Sequence, residues 1–146
     1  MATASDFHTC APPEAPGALH VLVVEDNDEC AFAMGRLLTR MGHEVSHAAD
    51  GRSALAAALS RPPDVVLLDI GLPDMDGFEV AARLRAARGR TPPFIIALSG
   101  SVCDEGRREA AGIDLYLTKP VEPADLGRVL RQFWRASRGV VEVVGP

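Results

Sequence analysis

Residues 65–77 read VVLLDIGLPDMDG, four aliphatic residues that end on Asp69 and run straight into a segment dense in turn formers. A short apolar run closed by Gly, Pro and Asp reads as a buried strand that stops where the turn chemistry begins. Burying an ionised carboxylate without partners costs several kcal/mol. The acid at the tip of this strand therefore either points out of the core or meets company there, and the rest of the chain decides which.

Other short aliphatic runs recur along the chain: HVLVVE at 20–25, EVSHA at 44–48, FIIALS at 94–99 and DLYL at 114–117. Between them the apolar residues switch to helical spacing. Met34, Leu37, Leu38 and Met41 share one face, Leu55, Ala58 and Leu59 a second, and Leu126, Val129, Leu130 and Phe133 the last. Phe78, Ala81, Ala82 and Leu84 mark a third helix less cleanly, and Cys103 to Ala111, with almost no apolar face and with Gly106 inside, predicts a short fourth one. Five strands alternating with five helices is a (βα)5 pattern. The first, third and fourth strands are apolar throughout, as in a doubly wound parallel α/β sheet covered on both faces.

The totals fit one such domain. A chain of 146 residues with 47% hydrophobic residues has material for a single packed core. A net charge of -5 argues against these residues forming a nucleic-acid interface, which needs a clustered basic surface. No apolar run approaches the length of a membrane span, and residues 1–18 lack the basic start and apolar centre of a signal peptide, so the expected location is cytoplasmic. Cys10, Cys30 and Cys103 are widely spaced without a CxxC, and read as ordinary reduced thiols. The Pro- and Ala-rich segment 1–18 reads as a flexible leader, 19–136 as the folded domain and 137–146 as a frayed tail, although Val140 to Val144 would also suit a strand.

Sheets of this kind carry their functional groups at the carboxyl ends of the strands. Here those ends hold Glu25 and Asp26, Asp69, Ser99, and Thr118-Lys119-Pro120. Three carboxylates on one rim repel each other unless something offsets them, and a hard divalent cation such as Mg2+, bound through oxygen, does so well. Asp26 and Asp69 can supply carboxylates, and Gly71 can turn a backbone carbonyl toward the same ion. Lys119 is the one lysine among 15 basic residues, a compact ammonium placed at the strand end that faces the acids.

Glu25-Asp26, Asp69, LPDMDG, ALSG and LTKP resemble, in order and spacing, the receiver domains of bacterial two-component response regulators, over about Leu19 to Ala136. The resemblance implies a flavodoxin-like sheet in the order 2-1-3-4-5. It implies that Asp69 is the phosphoacceptor and that Glu25, Asp26, Asp69 and the Gly71 carbonyl hold Mg2+. Lys119 would contact the phosphoryl group, next to a bond to Pro120 that is often cis in the family, and Ser99 and Tyr116 would form the switch. The implied partners are a sensor histidine kinase or a histidine phosphotransfer protein and a downstream protein target. Neither nucleic acid nor membrane is expected as a partner, and the chain is expected to be a monomer or weak dimer. Glu-Asp replaces the commoner Asp-Asp pair, which leaves Asp26 as the surer ligand. Gly71 offers no side chain at a position thought to influence dephosphorylation.

The favoured reading is a single-domain regulator that catalyses at most its own phosphorylation and dephosphorylation, with Met1 and the leader pointing to an independent protein rather than a receiver excised from a hybrid kinase. A haloacid-dehalogenase-like phosphatase would require a second aspartate where Gly71 stands. A phosphorylation-independent pseudo-receiver is opposed by the intact Asp26, Asp69, Ser99 and Lys119. Asp74 and Asp76 read as caps at the start of the third helix rather than as ligands. His43 and His47 look like a metal pair only on a helix; the strand-like HEVSHA makes them surface or partly buried histidines. Tyr116 could equally be a packed aromatic, and Arg107 and Arg108 a solvated face or a docking surface.

Overall fold

The computed structural model describes residues 17–87, 91–100 and 111–137. The elements in chain order are β1 (His20–Val24), α1 (Asp28–Arg40), β2 (Glu44–Ala48), α2 (Gly51–Ser60), β3 (Val65–Asp69), α3 (Gly77–Ala86), β4 (Phe94–Ser99), β5 (Leu115–Thr118) and α4 (Pro123–Ser137). The five strands form one sheet in the order β2-β1-β3-β4-β5, every pair parallel. This is the flavodoxin-like arrangement expected from the sequence. The helix expected over Cys103 to Ala111 lies outside the described residues but for its last position, as do Arg107, Arg108, residues 1–16 of the leader and residues 138–146 of the tail.

Alternation along each strand divides the core into two layers. Leu22, Val24, Val66, Leu68, Ile95 and Ala97 face α2 and α3, where Ala54, Phe78, Val80, Ala81 and Leu84 meet them. Val21, Val23, Val65, Leu67, Ile96 and Leu98 face α1 and α4, against Leu38, Leu126 and Leu130. β1, β3 and β4 are therefore apolar on both sides, because helices cover both sides. β2 and β5 are the sheet's two edge strands, and β2, with a neighbour on one side only, is more polar and more exposed than the inner strands.

Two helical faces differ from their sequence patterns. On α2, Leu59 is 60% exposed and Ala54 is the fully buried residue. On α3, Val80 is buried and Ala82 is exposed. α2 leans on the sheet through the small residues Gly51 and Ala54, which let its backbone approach closely, whereas α3 packs through Phe78, Val80, Ala81 and Leu84. β5 begins at Leu115 and ends at Thr118, one residue later than DLYL suggests; Asp114, just before it, donates its N–H to the Ile95 carbonyl at 2.9 Å while its carboxylate accepts from the Ile95 N–H and pairs with Arg85.

Candidate functional site: an acidic pocket at the strand ends

The order β2-β1-β3 means that the chain leaves β1 toward one edge of the sheet and later returns on its other side, and the crevice opens above β1 and β3. Glu25 follows β1 and Asp69 ends β3. Glu25 is held as a last rung of the sheet by its N–H, which donates to the Ala48 carbonyl over 3.0 Å. Asn27 then caps α1, its Oδ1 accepting from the Cys30 N–H at 2.9 Å, which turns the chain away and leaves Asp26 exposed on the rim. One carboxylate oxygen from each of Glu25, Asp26 and Asp69 lies within 4.8 Å of the other two. Glu25 and Asp69 are buried.

Lys119 enters this cluster from the end of β5, its Nζ 3.2 Å from Glu25 Oε1 and 3.5 Å from Asp69 Oδ1. The Lys119 N–H donates to the Ser99 carbonyl over 2.8 Å, and the Lys119–Pro120 bond is cis, as the resemblance suggests. Burial is the main reason that the Glu25 carboxyl sits above its ordinary range, with the Asp69 charge adding to it. The Asn27 N–H and the Lys119 ammonium pull the other way without cancelling the effect. For Lys119, burial alone would favour the neutral amine, but the Asp69 and Glu25 carboxylates outweigh it and raise its pKa. When all three acids are ionised, one ammonium leaves the pocket with an excess of negative charge. Every free donor is a hard oxygen, a set that suits a hard divalent cation.

The turn after Asp69 is fixed from several sides. The Gly71 N–H donates to Asp69 Oδ1 at 3.1 Å, and a Cβ at Gly71 would stand 4.0 Å from that oxygen, so a side chain at 71 would overlook the carboxylate. Asp76 caps α3, accepting from the Phe78 N–H at 2.8 Å, as expected. Asp74 does not belong to that cap. Its two oxygens accept from the Gly51 and Arg52 N–H groups, at 2.8 and 3.1 Å, so it caps α2 from a distance of 23 residues in sequence. The correction has a steric basis: Gly51 is buried under Met75 and Val80, which brings the N-terminus of α2 against the 70–76 turn. The Gly51 N–H first, then the Arg52 N–H, hold the Asp74 carboxyl below the usual range.

Ser99 is buried at the end of β4, and Tyr116 is half-buried on β5, level with Ala97 and packed against the layer that contains Ala111 and Ile113. Thus Glu25, Asp26, Asp69 and Lys119 meet in one pocket, Ser99 joins them through the Lys119 backbone, and Gly71 lies beside Asp69.

These findings agree with the comparison of the chain with known proteins. The family described as "Response regulator receiver domain" matches residues 21–131. The chain belongs to the response regulator receiver domains. Among curated relatives, the transcriptional regulatory protein TcrA of Mycobacterium tuberculosis is 43% identical over 117 residues, 80% of this chain and 46% of TcrA. PrrA of Mycobacterium bovis is 39% identical over 106 residues, 73% of this chain and 46% of PrrA. The receiver chain thus spans about half the length of the curated relatives it matches. Among solved structures, the chemotaxis response regulator CheY4 of Vibrio cholerae is 31% identical with a TM-score of 0.73, covering 80% of this chain and 98% of that one. A CheY-like receiver domain of Methanospirillum hungatei is 27% identical with a TM-score of 0.77, covering 84% and 98%.

Several hydrogen-bonding roles in the receiver escaped the sequence reading. Asp50 and Ser53 form a reciprocal cap on α2, a signal legible as polar residues three apart before an apolar run. His43 is 6% exposed, more deeply buried than the surface or partly buried position expected: its Nδ1 accepts the Leu19 N–H at 3.1 Å, and burial lowers its pKa. His47 stands on β2, where Nε2 lies 2.9 Å from the Glu25 carbonyl oxygen. The two histidines therefore serve different backbone groups and share no ligand. Among the described residues, no helix is long and apolar enough to cross a membrane.

Proposed function

We propose that this receiver is a phosphoacceptor switch whose acceptor is Asp69. The observation that carries the reading is the meeting of Glu25, Asp26 and Asp69 with the Lys119 ammonium at the strand ends. One Asp69 oxygen attacks the phosphorus of a phosphohistidine or of an acyl phosphate, the bond from phosphorus to the leaving imidazole or carboxylate breaks, and the leaving group takes up the negative charge or a proton. Transfer of this kind depends on alignment and on neutralising the equatorial oxygens. Lys119 neutralises one of them, Ser99 offers a hydroxyl to another, and the Gly71 N–H helps to hold the Asp69 carboxylate in place. Asp26, Asp69, Glu25 and the Gly71 carbonyl would hold Mg2+, which supplies charge neutralisation when bound.

The partners that supply the phosphoryl group are a sensor histidine kinase or a histidine phosphotransfer protein. Once Asp69 is modified, Ser99 moves onto the phosphate and Tyr116 turns inward, which shifts an existing equilibrium at β5 and the neighbouring surface. Output follows by docking to another protein or by onward phosphotransfer, from a cytoplasmic regulator whose receiver has no activity beyond its own phosphorylation and dephosphorylation. The longer relatives are named as transcriptional regulators; the acidic balance of this chain supports an output without nucleic-acid contacts of its own.

Intact mass after incubation with Mg2+ and acetyl phosphate tests the reading. A gain of one phosphoryl group, lost in Asp69→Asn and lost on chelation, is expected. No gain in the parent, together with no binding of beryllofluoride, would leave a pseudo-receiver; gain in both proteins would move the acceptor elsewhere.

A further inference from the structure

We propose that His47 is a positioning residue for the cation site: its imidazole fixes the peptide that carries Asp26. The proposal rests on the reading of Glu25, Asp26 and Asp69 as a Mg2+ site. Its origin lies in the hydrogen-bond ladder between β1 and β2. That ladder opens with the Glu44 N–H donating to the Leu19 carbonyl and closes with the Glu25 N–H donating to the Ala48 carbonyl. In a parallel pair the bonds alternate between strands at every second residue, so the next donor, to the Glu25 carbonyl, would be the Asp50 N–H. That N–H is committed elsewhere, to Ser53 Oγ at 3.3 Å in the reciprocal cap of α2.

The Glu25 carbonyl would therefore end the sheet without its rung. His47 supplies one, with Nε2 at 2.9 Å. A carbonyl oxygen only accepts, so the proton is on Nε2. The peptide so held joins Glu25 to Asp26. The other ties on this segment belong to Glu25 and Asn27: Glu25 N–H to Ala48, the Asn27 N–H to Glu25 Oε2 at 3.2 Å, and Asn27 Oδ1 to α1. Asp26 itself is exposed, and its direction depends on the peptide on either side. Partners in the second layer of a metal site act in this way, by orienting a ligand rather than touching the ion.

His47 is exposed, so it can be replaced at little cost in packing. His47→Phe keeps the ring and removes the donor, while His47→Gln places an amide N–H at the same number of bonds from the backbone. Mg2+ affinity would be measured by calorimetry on the unphosphorylated full chain, with thermal midpoints recorded without the ion and with Asp26→Asn as a reference. His47→Phe is expected to bind Mg2+ about five- to tenfold more weakly, and His47→Gln within about twofold of the parent. Equal affinity of His47→Phe and the parent would overturn the proposal, as would equal weakening in both variants, since the N–H would then not be the cause. Saturable binding by the parent that Asp26→Asn weakens supports the site itself. A parent that binds no Mg2+ removes that site and the role of His47 with it, an outcome distinct from a functioning site indifferent to His47.

Discussion

Replacing Gly77 by alanine isolates what the last residue of the 65–77 stretch does. A Cβ there would stand 2.7 Å from Ile70 Cα, 3.0 Å from the Ile70 carbonyl oxygen and 3.1 Å from the Asp69 carbonyl oxygen. All three obstacles are backbone, so no side chain can rotate away. Either the start of α3 or the end of β3 must shift. Forced insertion into a packed site costs about 1–3 kcal/mol, and rigid obstacles place this case in the upper half. The better helix propensity of alanine returns at most about 1 kcal/mol, which leaves a net loss of about 2 kcal/mol. In a domain of this size that lowers Tm by about 8 °C. Urea unfolding followed by circular dichroism measures the difference directly. Gly35→Ala is the matched control, since a Cβ inside α1 would meet only Val45 Cγ1, at 3.8 Å. It should stabilise by about 0.5–1 kcal/mol. A Gly77→Ala protein within about 0.5 kcal/mol of the parent would refute the close-approach argument, and stabilisation of both variants would show that propensity rather than packing governs both.

Two further outcomes are expected. In the folded chain burial lowers the pKa of His43 below its ordinary 6.5, so the unfolded chain takes up the proton first as the pH falls. Both states are neutral above about pH 6.5, and stability is lost progressively below it. The Tm difference between about pH 7.5 and pH 5.5 should therefore shrink in His43→Asn, whose Oδ1 can still accept the Leu19 N–H; an unchanged difference would show that another group sets the slope. Arg85 donates through Nε to the Gly112 carbonyl at 2.8 Å and pairs with Asp114, which also accepts the Ile95 N–H at 2.8 Å. Arg85→Ala should cost about 1–2 kcal/mol in urea unfolding, and a change below about 0.3 kcal/mol would make the pair a surface feature of no consequence.

The sequence by itself determined the element order, the parallel class of the sheet and the rim at which the acidic residues and Lys119 gather. Those features are written in local patterns: runs of Val, Leu and Ile at 20–25, 65–68 and 94–98, apolar residues three and four apart between them, and polar residues at each strand end. Strand ends in a parallel sheet all point the same way, so Glu25, Asp26, Asp69, Ser99 and Lys119 could be gathered on one side before any coordinates. What only the tertiary structure decided concerns groups whose partners are distant in sequence. Asp74 looks like a local cap, and lies instead on the N-terminus of α2, because Gly51 allows that helix to approach. His43 and His47 look alike in HEVSHA, yet one accepts a backbone N–H in the core while the other faces the Glu25 carbonyl. Local patterns record which face of an element is buried, whereas the partner of a hydrogen bond depends on how separate elements are brought together, and that is settled by packing.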